Sequence, residues 1–271
     1  MTETLQERRL RMGLETLKGQ RAQGFFTPYR YADQIIAPAG YPELERLFAV
    51  AEPSMRAVLG DVSAAREELT ALDGPPPIPR WDQSWFPRLD GAAAFTIVRR
   101  EDPAHIVEVG SGHSTRMLAH AAGPATQITC IDPQPRADIA ALPVALHREV
   151  LGEQHFALFA DLRPGDIAFF DSSHILWPGS DVDMILNRII PALHPGVLIH
   201  IHDILLPDPY PPEWEWRGYT EQNGVGPLLL GATEIVFSSH YARTRMGAGE
   251  VVQDIPLPDG AFETSLWLKK T

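Results

Sequence analysis

Between residues 105 and 203, short uninterrupted apolar runs alternate with helical segments, and the runs close on polar residues. This alternation constrains the fold more than any other feature of the chain. Continuous apolar strands are buried on both faces, and strands separated by helices pair in parallel. Residues 105–109 read as the first strand and 114–122 as the helix after it. Residues 127–131 read as a second strand, 144–150 as a weaker third, and 166–170 as a fourth, entered through Arg163-Pro164-Gly165. Residues 180–193 place Val182, Ile185, Leu186, Ile189, Ile190 and Leu193 on one helical face, with Ser180 or Asp181 as the cap. His194-Pro195-Gly196 stops that helix, and 197–201 is a fifth strand. Residues 234–238 and 265–269 are candidate late strands, paired as a hairpin with a long connection.

The N-terminal part reads differently. Leu5, Leu10, Leu14 and Leu17 among charges predict an amphipathic helix, and further helices are expected over 43–50 and 54–72. Residues 73–79, Asp-Gly-Pro-Pro-Pro-Ile-Pro, fit neither regular helix nor central strand. The expected organisation is a helical region with its proline-rich linker over 1–80, then an α/β core over 81–271.

Charge and composition exclude some functions. A net charge of -12 argues against a surface that tracks nucleic-acid phosphates. The N-terminus lacks the apolar core of a secretory signal, and no run reaches the ~18–20 apolar residues of a membrane helix. A cytoplasmic protein without a membrane partner is expected. Cys130, the single cysteine, cannot form an internal disulfide and lies in an apolar run, as a buried small side chain would.

Chemistry concentrates in two places. The first is Glu108-Val109-Gly110-Ser111-Gly112-His113-Ser114-Thr115, which leaves a strand and opens a helix. Glycines there allow a sharp turn and close approach of a ligand to the main chain. Thr115 stands where a dinucleotide fingerprint has its third glycine. Glu108 suits a cationic amino acid end better than a pyrophosphate, and Asp132, closing the second strand, suits ribose hydroxyls. The expected cofactor-facing residues are Glu108, Gly110, Gly112, Ser114, Asp132 and Asp171.

The second is formed by Asp171-Ser172-Ser173-His174 after the fourth strand and His200-Ile201-His202-Asp203 closing the fifth. Neighbouring parallel strands would bring Asp171, His174, His202 and Asp203 together. Three roles fit them. His174 or His202 can serve as general base. Asp171, His202 and Asp203 can hold a divalent cation such as Mg2+. Or the carboxylates cap loops while the histidines bond the backbone. Two flanking stretches are candidate acceptor walls: Trp81 to Asp90, and the proline-rich Leu206 to Trp216 with Tyr210 and Trp214. The bland readings are a loop packed on its own core, Asp90 as a helix N-cap and Arg88 as a surface side chain.

The run from His105 to Thr115 resembles the first motif of class I S-adenosylmethionine-dependent methyltransferases, and Asp132 matches the acidic residue after their second strand. Asp171-x-x-His174, Pro195-Gly196, His202-Asp203 and the Leu206-Pro207, Tyr210-Pro211 and Trp214 that follow resemble a bacterial subgroup. The resemblance covers about Trp85 to Trp214. It implies a Rossmann-like, mostly parallel seven-stranded sheet with a reversed last strand and helices on both faces. It also implies methyl transfer from S-adenosylmethionine by direct displacement. Related cation-dependent O-methyltransferases place acidic ligands at the ends of the fourth and fifth strands. Asp171 and Asp203 match those places and His202 departs from them. O-methylation of a small-molecule acceptor is the expected activity, with a homo-oligomer through the N-terminal helices a further expectation. The rivals are an NAD-dependent oxidoreductase, a non-catalytic nucleoside-binding or scaffold protein and a metal-dependent hydrolase. The missing third glycine counts against the first, and the absence of a His-x-His-x-Asp-His run against the last.

Overall fold

The computed structural model of the protein describes residues 3–25 and 28–271. Its centre is a seven-stranded sheet in the order β3-β2-β1-β4-β5-β7-β6. The strands are β1 (His105–Val109), β2 (Gln127–Ile131), β3 (Val144–His147), β4 (Ile167–Phe170), β5 (Leu198–Ile201), β6 (Thr233–Ser238) and β7 (Leu266–Lys270). β1 to β5 run parallel, and β7 runs antiparallel to both β5 and β6. This is the Rossmann-like sheet with one reversed strand that the resemblance implies. β4 and β5 are buried at every position, which is why, His200 apart, they are apolar without alternation. β6 and β7 do pair, and the long connection over residues 239–265 is no obstacle to an antiparallel register.

The N-terminal helices divide into two kinds. α1 (Leu5–Leu17) starts with a capping box between Thr4 and Glu7, and no residue of it is buried. α2 (Pro42–Ala64) runs straight through Pro53, fusing the two helices expected around that residue, and the short α3 (Arg66–Thr70) follows. α2 packs on β6 and on α4 (Arg88–Glu101). Its Phe48, Met55, Val58 and Val62 belong to the same buried cluster as the sheet. The register of β6 shifts between Ile235 and Phe237, and the Ser54 hydroxyl of α2 donates to the carbonyl of the intervening Val236 at 3.0 Å.

After β1 the chain enters α5 (His113–Ala121), and α6 (Phe156–Ala160) precedes β4. The helix expected over 180–193 is present but not uniform. α7 (Asp181–Met184) leads into a π-helical turn (Ile185–Ile189) and a last turn, α8 (Ile190–Ala192). Pro191 has no N–H, so the ladder cannot continue regularly, and the Ile190 N–H reaches back five residues to Ile185. All six apolar residues of its expected face are buried. α9 (Glu221–Leu228) and α10 (Ser239–Arg245) complete the fold. No helix among the described residues is long and apolar enough to cross a membrane.

Strand order reverses at β1, which has β2 on one side and β4 on the other. In a parallel sheet that reversal opens a crevice beyond the carboxyl ends of the strands. Main-chain bonds align those ends: Gly110 N–H to Ile131, Asp171 N–H to Val109, and His202 N–H to Phe170, all within 3.0 Å.

Candidate active site

A cleft of about 530 Å³ lies at this reversal. Gly110, Ser111, Asp132, Leu151, Asp171 and Met184 are among the residues that line it. Gly110 has φ 79°, and a methyl group there would overlap the carbonyl oxygen of Asp171. The turn therefore needs glycine at this position both for its backbone and for the crossing of the β4 end.

Asp132 is buried at the cleft's edge. Its Oδ2 accepts from the Ser111 N–H at 2.6 Å and the Ser111 hydroxyl at 3.0 Å, and its Oδ1 accepts from the Gln134 N–H at 2.7 Å. Three of a carboxylate's roughly four acceptor positions are thus in use. Both hydroxyls of a ribose can be taken only if the Ser111 hydroxyl swings away.

Glu108 and Ser114 lie elsewhere than expected. Glu108 is fully buried beneath the turn and does not line the cleft. It accepts from the hydroxyls of Ser114 at 2.6 Å and Thr115 at 2.7 Å, and Cys130 approaches at 3.3 Å. Burial raises its pKa to about 7 against the pull of those donors. Thr115 Oγ1 also receives the Gly112 N–H at 2.8 Å. These side chains brace the turn from below, so Thr115 does by hydrogen bonding part of what a third glycine does by close packing. A cation held directly by Glu108 does not fit this burial.

The second constellation does converge. His174 and Asp203 have φ values of 60° and 56°, left-handed conformations that side chains other than glycine seldom adopt. These turns fold the ends of β4 and β5 toward each other. His174 Nε2 lies 3.2 Å from Asp171 and 3.4 Å from Asp203, while its Nδ1 lies 2.8 Å from Glu221 at the start of α9. His202 Nε2 lies 3.3 Å from Asp90, and its Nδ1 lies 3.6 Å from both Asp171 and Asp203. Burial opposes charge on both rings, but the surrounding carboxylates outweigh it and hold both imidazoles well above their usual pKa. Burial likewise opposes the Asp171 anion, yet His202 and His174 hold it well below the usual carboxylate range.

The carboxylates around His174 and His202 favour the protonated rings, which works against the general-base role expected of them. An imidazolium has no lone pair with which to take a proton. His174 also lines neither cavity; it stands between Glu221 and the two aspartates. Of these four groups Asp171 and Asp203 keep the most side-chain exposure, 21% and 12% against 2% and 5% for His174 and His202. His200 is separate again: stacked on Phe169 at 3.7 Å, bonded to Ser265 and driven well below its usual pKa by burial, it is a neutral core residue.

The metal expectation for Asp171, His202 and Asp203 does not fit either. Among the described residues, the three-ligand grouping whose atoms close within 4.8 Å of one another is His147, Glu149 and His155, not this trio. In that other grouping, His155 Nδ1 receives the Gly152 N–H, which leaves the proton on the Nε2 that a metal would need. Asp90, weighed as an N-cap, is instead wholly buried in the first turn of α4. It receives the Thr264 and Ser265 N–H groups, which leaves its remaining capacity for His202. Arg88 pairs with buried Glu263 at 2.8 Å rather than facing solvent.

A second, smaller cavity of about 130 Å³ opens beside the first. Asp171, His202 and Asp203 form one end, and Trp85, Trp214 and Phe262 supply flat walls. Both flanking stretches singled out in the sequence thus reach it. Asp171 and Arg136 line both cavities.

Residues 107–204 match a family described as a methyltransferase domain. No curated protein matches the chain significantly. Solved structures with a similar course include the O-methyltransferase TomG from Streptomyces achromogenes, involved in tomaymycin synthesis and in complex with SAM. It is 15% identical with a TM-score of 0.45, covering 79% of this chain and 89% of that one. An O-methyltransferase from Bacillus cereus in complex with SAH is 13% identical with a TM-score of 0.44, covering 89% and 96%. The strand order and the glycine turn after β1 agree with that match, and residues 107–204 form a methyltransferase domain with the class I fold.

Proposed function

We propose that the protein methylates a hydroxyl oxygen of a small molecule, with S-adenosylmethionine in the larger cleft and the acceptor in the smaller one. The observation that carries this reading is the shared wall: Asp171, at the end of β4, borders both cavities. The donor set suits the cofactor. Asp132 offers a carboxylate to the ribose, Leu151 and Met184 offer apolar surface to a purine, and Asp171 places negative charge where a sulfonium would lie. When bound, the cofactor supplies a methyl group on positively charged sulfur, and that sulfur keeps the electrons of the broken bond.

The chain's own residues position the acceptor. Its hydroxyl donates to Asp171 or Asp203, which turns an oxygen lone pair toward the larger cleft and takes the proton as the new carbon–oxygen bond forms. His174 and His202 hold the two carboxylates in place from behind and beside, anchored by Glu221 and Asp90. No metal enters this scheme.

Calorimetric titration with S-adenosylmethionine tests the reading. Wild-type protein is expected to bind equally well with and without EDTA. Asp132→Ala should weaken binding by about tenfold or more, the loss of a charged hydrogen-bond acceptor. Asp171→Asn should cut turnover on any active hydroxyl acceptor by about a hundredfold or more. Absence of cofactor binding in the wild type would overturn the proposal; loss of binding in EDTA would restore a metal.

A further inference from the structure

We propose that the methyl acceptor is a planar hydroxy acid whose anionic group is received by Arg217; this rests on reading the smaller cavity as the acceptor pocket. Arg217 ends the 3-10 turn Pro212–Arg217 and lines that cavity. Its guanidinium lies over the ring of Trp214 at 4.6 Å and near those of Trp216 and Tyr219, each at 5.3 Å. Nη1 donates to the Tyr219 hydroxyl at 2.8 Å. Nε is buried and has no hydrogen-bond partner among the described residues. Nor does Arg217 pair with a carboxylate among them, although acidic residues outnumber basic ones 35 to 23 in this chain.

An arginine is ordinarily oriented by an acid. Here aromatic faces and one phenol hold the cation, and its Nε edge is left without an acceptor. The N–H groups on that edge run parallel, which is the geometry that receives a carboxylate through two bonds. The pocket is therefore bipolar. Asp171 and Asp203 repel an anion and accept from a hydroxyl; Arg217 does the reverse. Trp85, Trp214 and Phe262 add aromatic surface to the pocket, and its volume suits one small ring. Arg136, over Trp85 at 4.8 Å, is a second cation on the pocket wall and borders the cofactor cleft as well.

The test uses the three monohydroxybenzoates, their methyl esters and the matching hydroxybenzylamines. Each is titrated into full-length protein, free and saturated with S-adenosylhomocysteine, and each is assayed for methyl transfer. At least one acid is expected to bind about tenfold or more tighter than its ester, with the amine weakest. Arg217→Gln should erase the preference while leaving S-adenosylmethionine affinity unchanged, and Arg217→Lys should retain part of it. Esters or amines binding as well as the acids would overturn the proposal. So would a preference that survives Arg217→Gln, or no hydroxybenzoate binding to protein that still binds the cofactor. Failure of the parent reading shows separately, as absent cofactor binding, because the acids are also titrated without it.

Discussion

Single positions in this protein are decided by what lies across from them. Gly110 is the sharpest case. A β-carbon there would overlap the Asp171 carbonyl, and the backbone is left-handed as well. Gly110→Ala is therefore expected to cost about 2–4 kcal/mol of stability, overpacking and backbone strain together. It should also abolish binding of S-adenosylmethionine, because the end of β4 must move out of place. Urea denaturation and calorimetry would check it, and a variant with wild-type midpoint and affinity would refute it. The same principle explains what single residues could not reveal in the sequence. Asp171 and His174 are three apart, so their meeting is local. Glu221 lies 47 residues from His174 and Asp90 lies 112 from His202, and neither pairing has a sequence signal.

Among the elements, burial separates two N-terminal helices that were both expected from the sequence. α2 inserts Met55, fully buried, into the common core, whereas α1 leaves Leu10 64% exposed. Met55→Ala should cost about 2–5 kcal/mol, the usual range for emptying such a site. Leu10→Ala should stay within about 0.5 kcal/mol. Equal destabilisation in a denaturant series would mean that α1 is covered in solution, by a second copy for example. The 180–193 helix teaches a related point. Its apolar face was legible because periodicity survives a π turn, but the turn itself was not, since one proline permits a kink, a break or a widened turn.

The whole molecule is tied together at the rim where β4, β5, α4 and α9 meet through Asp171, His174, His202, Asp90 and Glu221. Their linked charges give the fold a pH profile. The histidines have folded pKa values above the usual 6.5, so their contribution is complete below that value and lost as pH rises through the raised ones. Asp171 is depressed below 3.8, so its contribution is present above that pH and lost as pH falls through the lower value. Glu108, raised from 4.5 to about 7, begins the decline earlier, as pH rises between those values. Thermal stability is expected to be greatest at mildly acidic pH and to fall toward alkaline pH, with Asp171→Asn flattening the alkaline limb. Melting curves across pH would check this; an unchanged limb in the variant would show that the histidines are not charged by their neighbours.

The sequence by itself determined the parallel sheet and the carboxyl-end location of the chemistry. Those follow from local patterns: continuous apolar runs demand two covered faces, and a glycine turn between strand and helix marks the crevice. It also placed Asp132, Asp171 and the two aromatic stretches near one another, because parallel strands share a rim. Only the tertiary structure decided the carboxylate surroundings of His174 and His202, the retreat of Glu108 beneath the turn, the division into two cavities and the unpartnered edge of Arg217. Each depends on the distance and dielectric between groups far apart in the chain, and electrostatic energy follows those quantities rather than residue order.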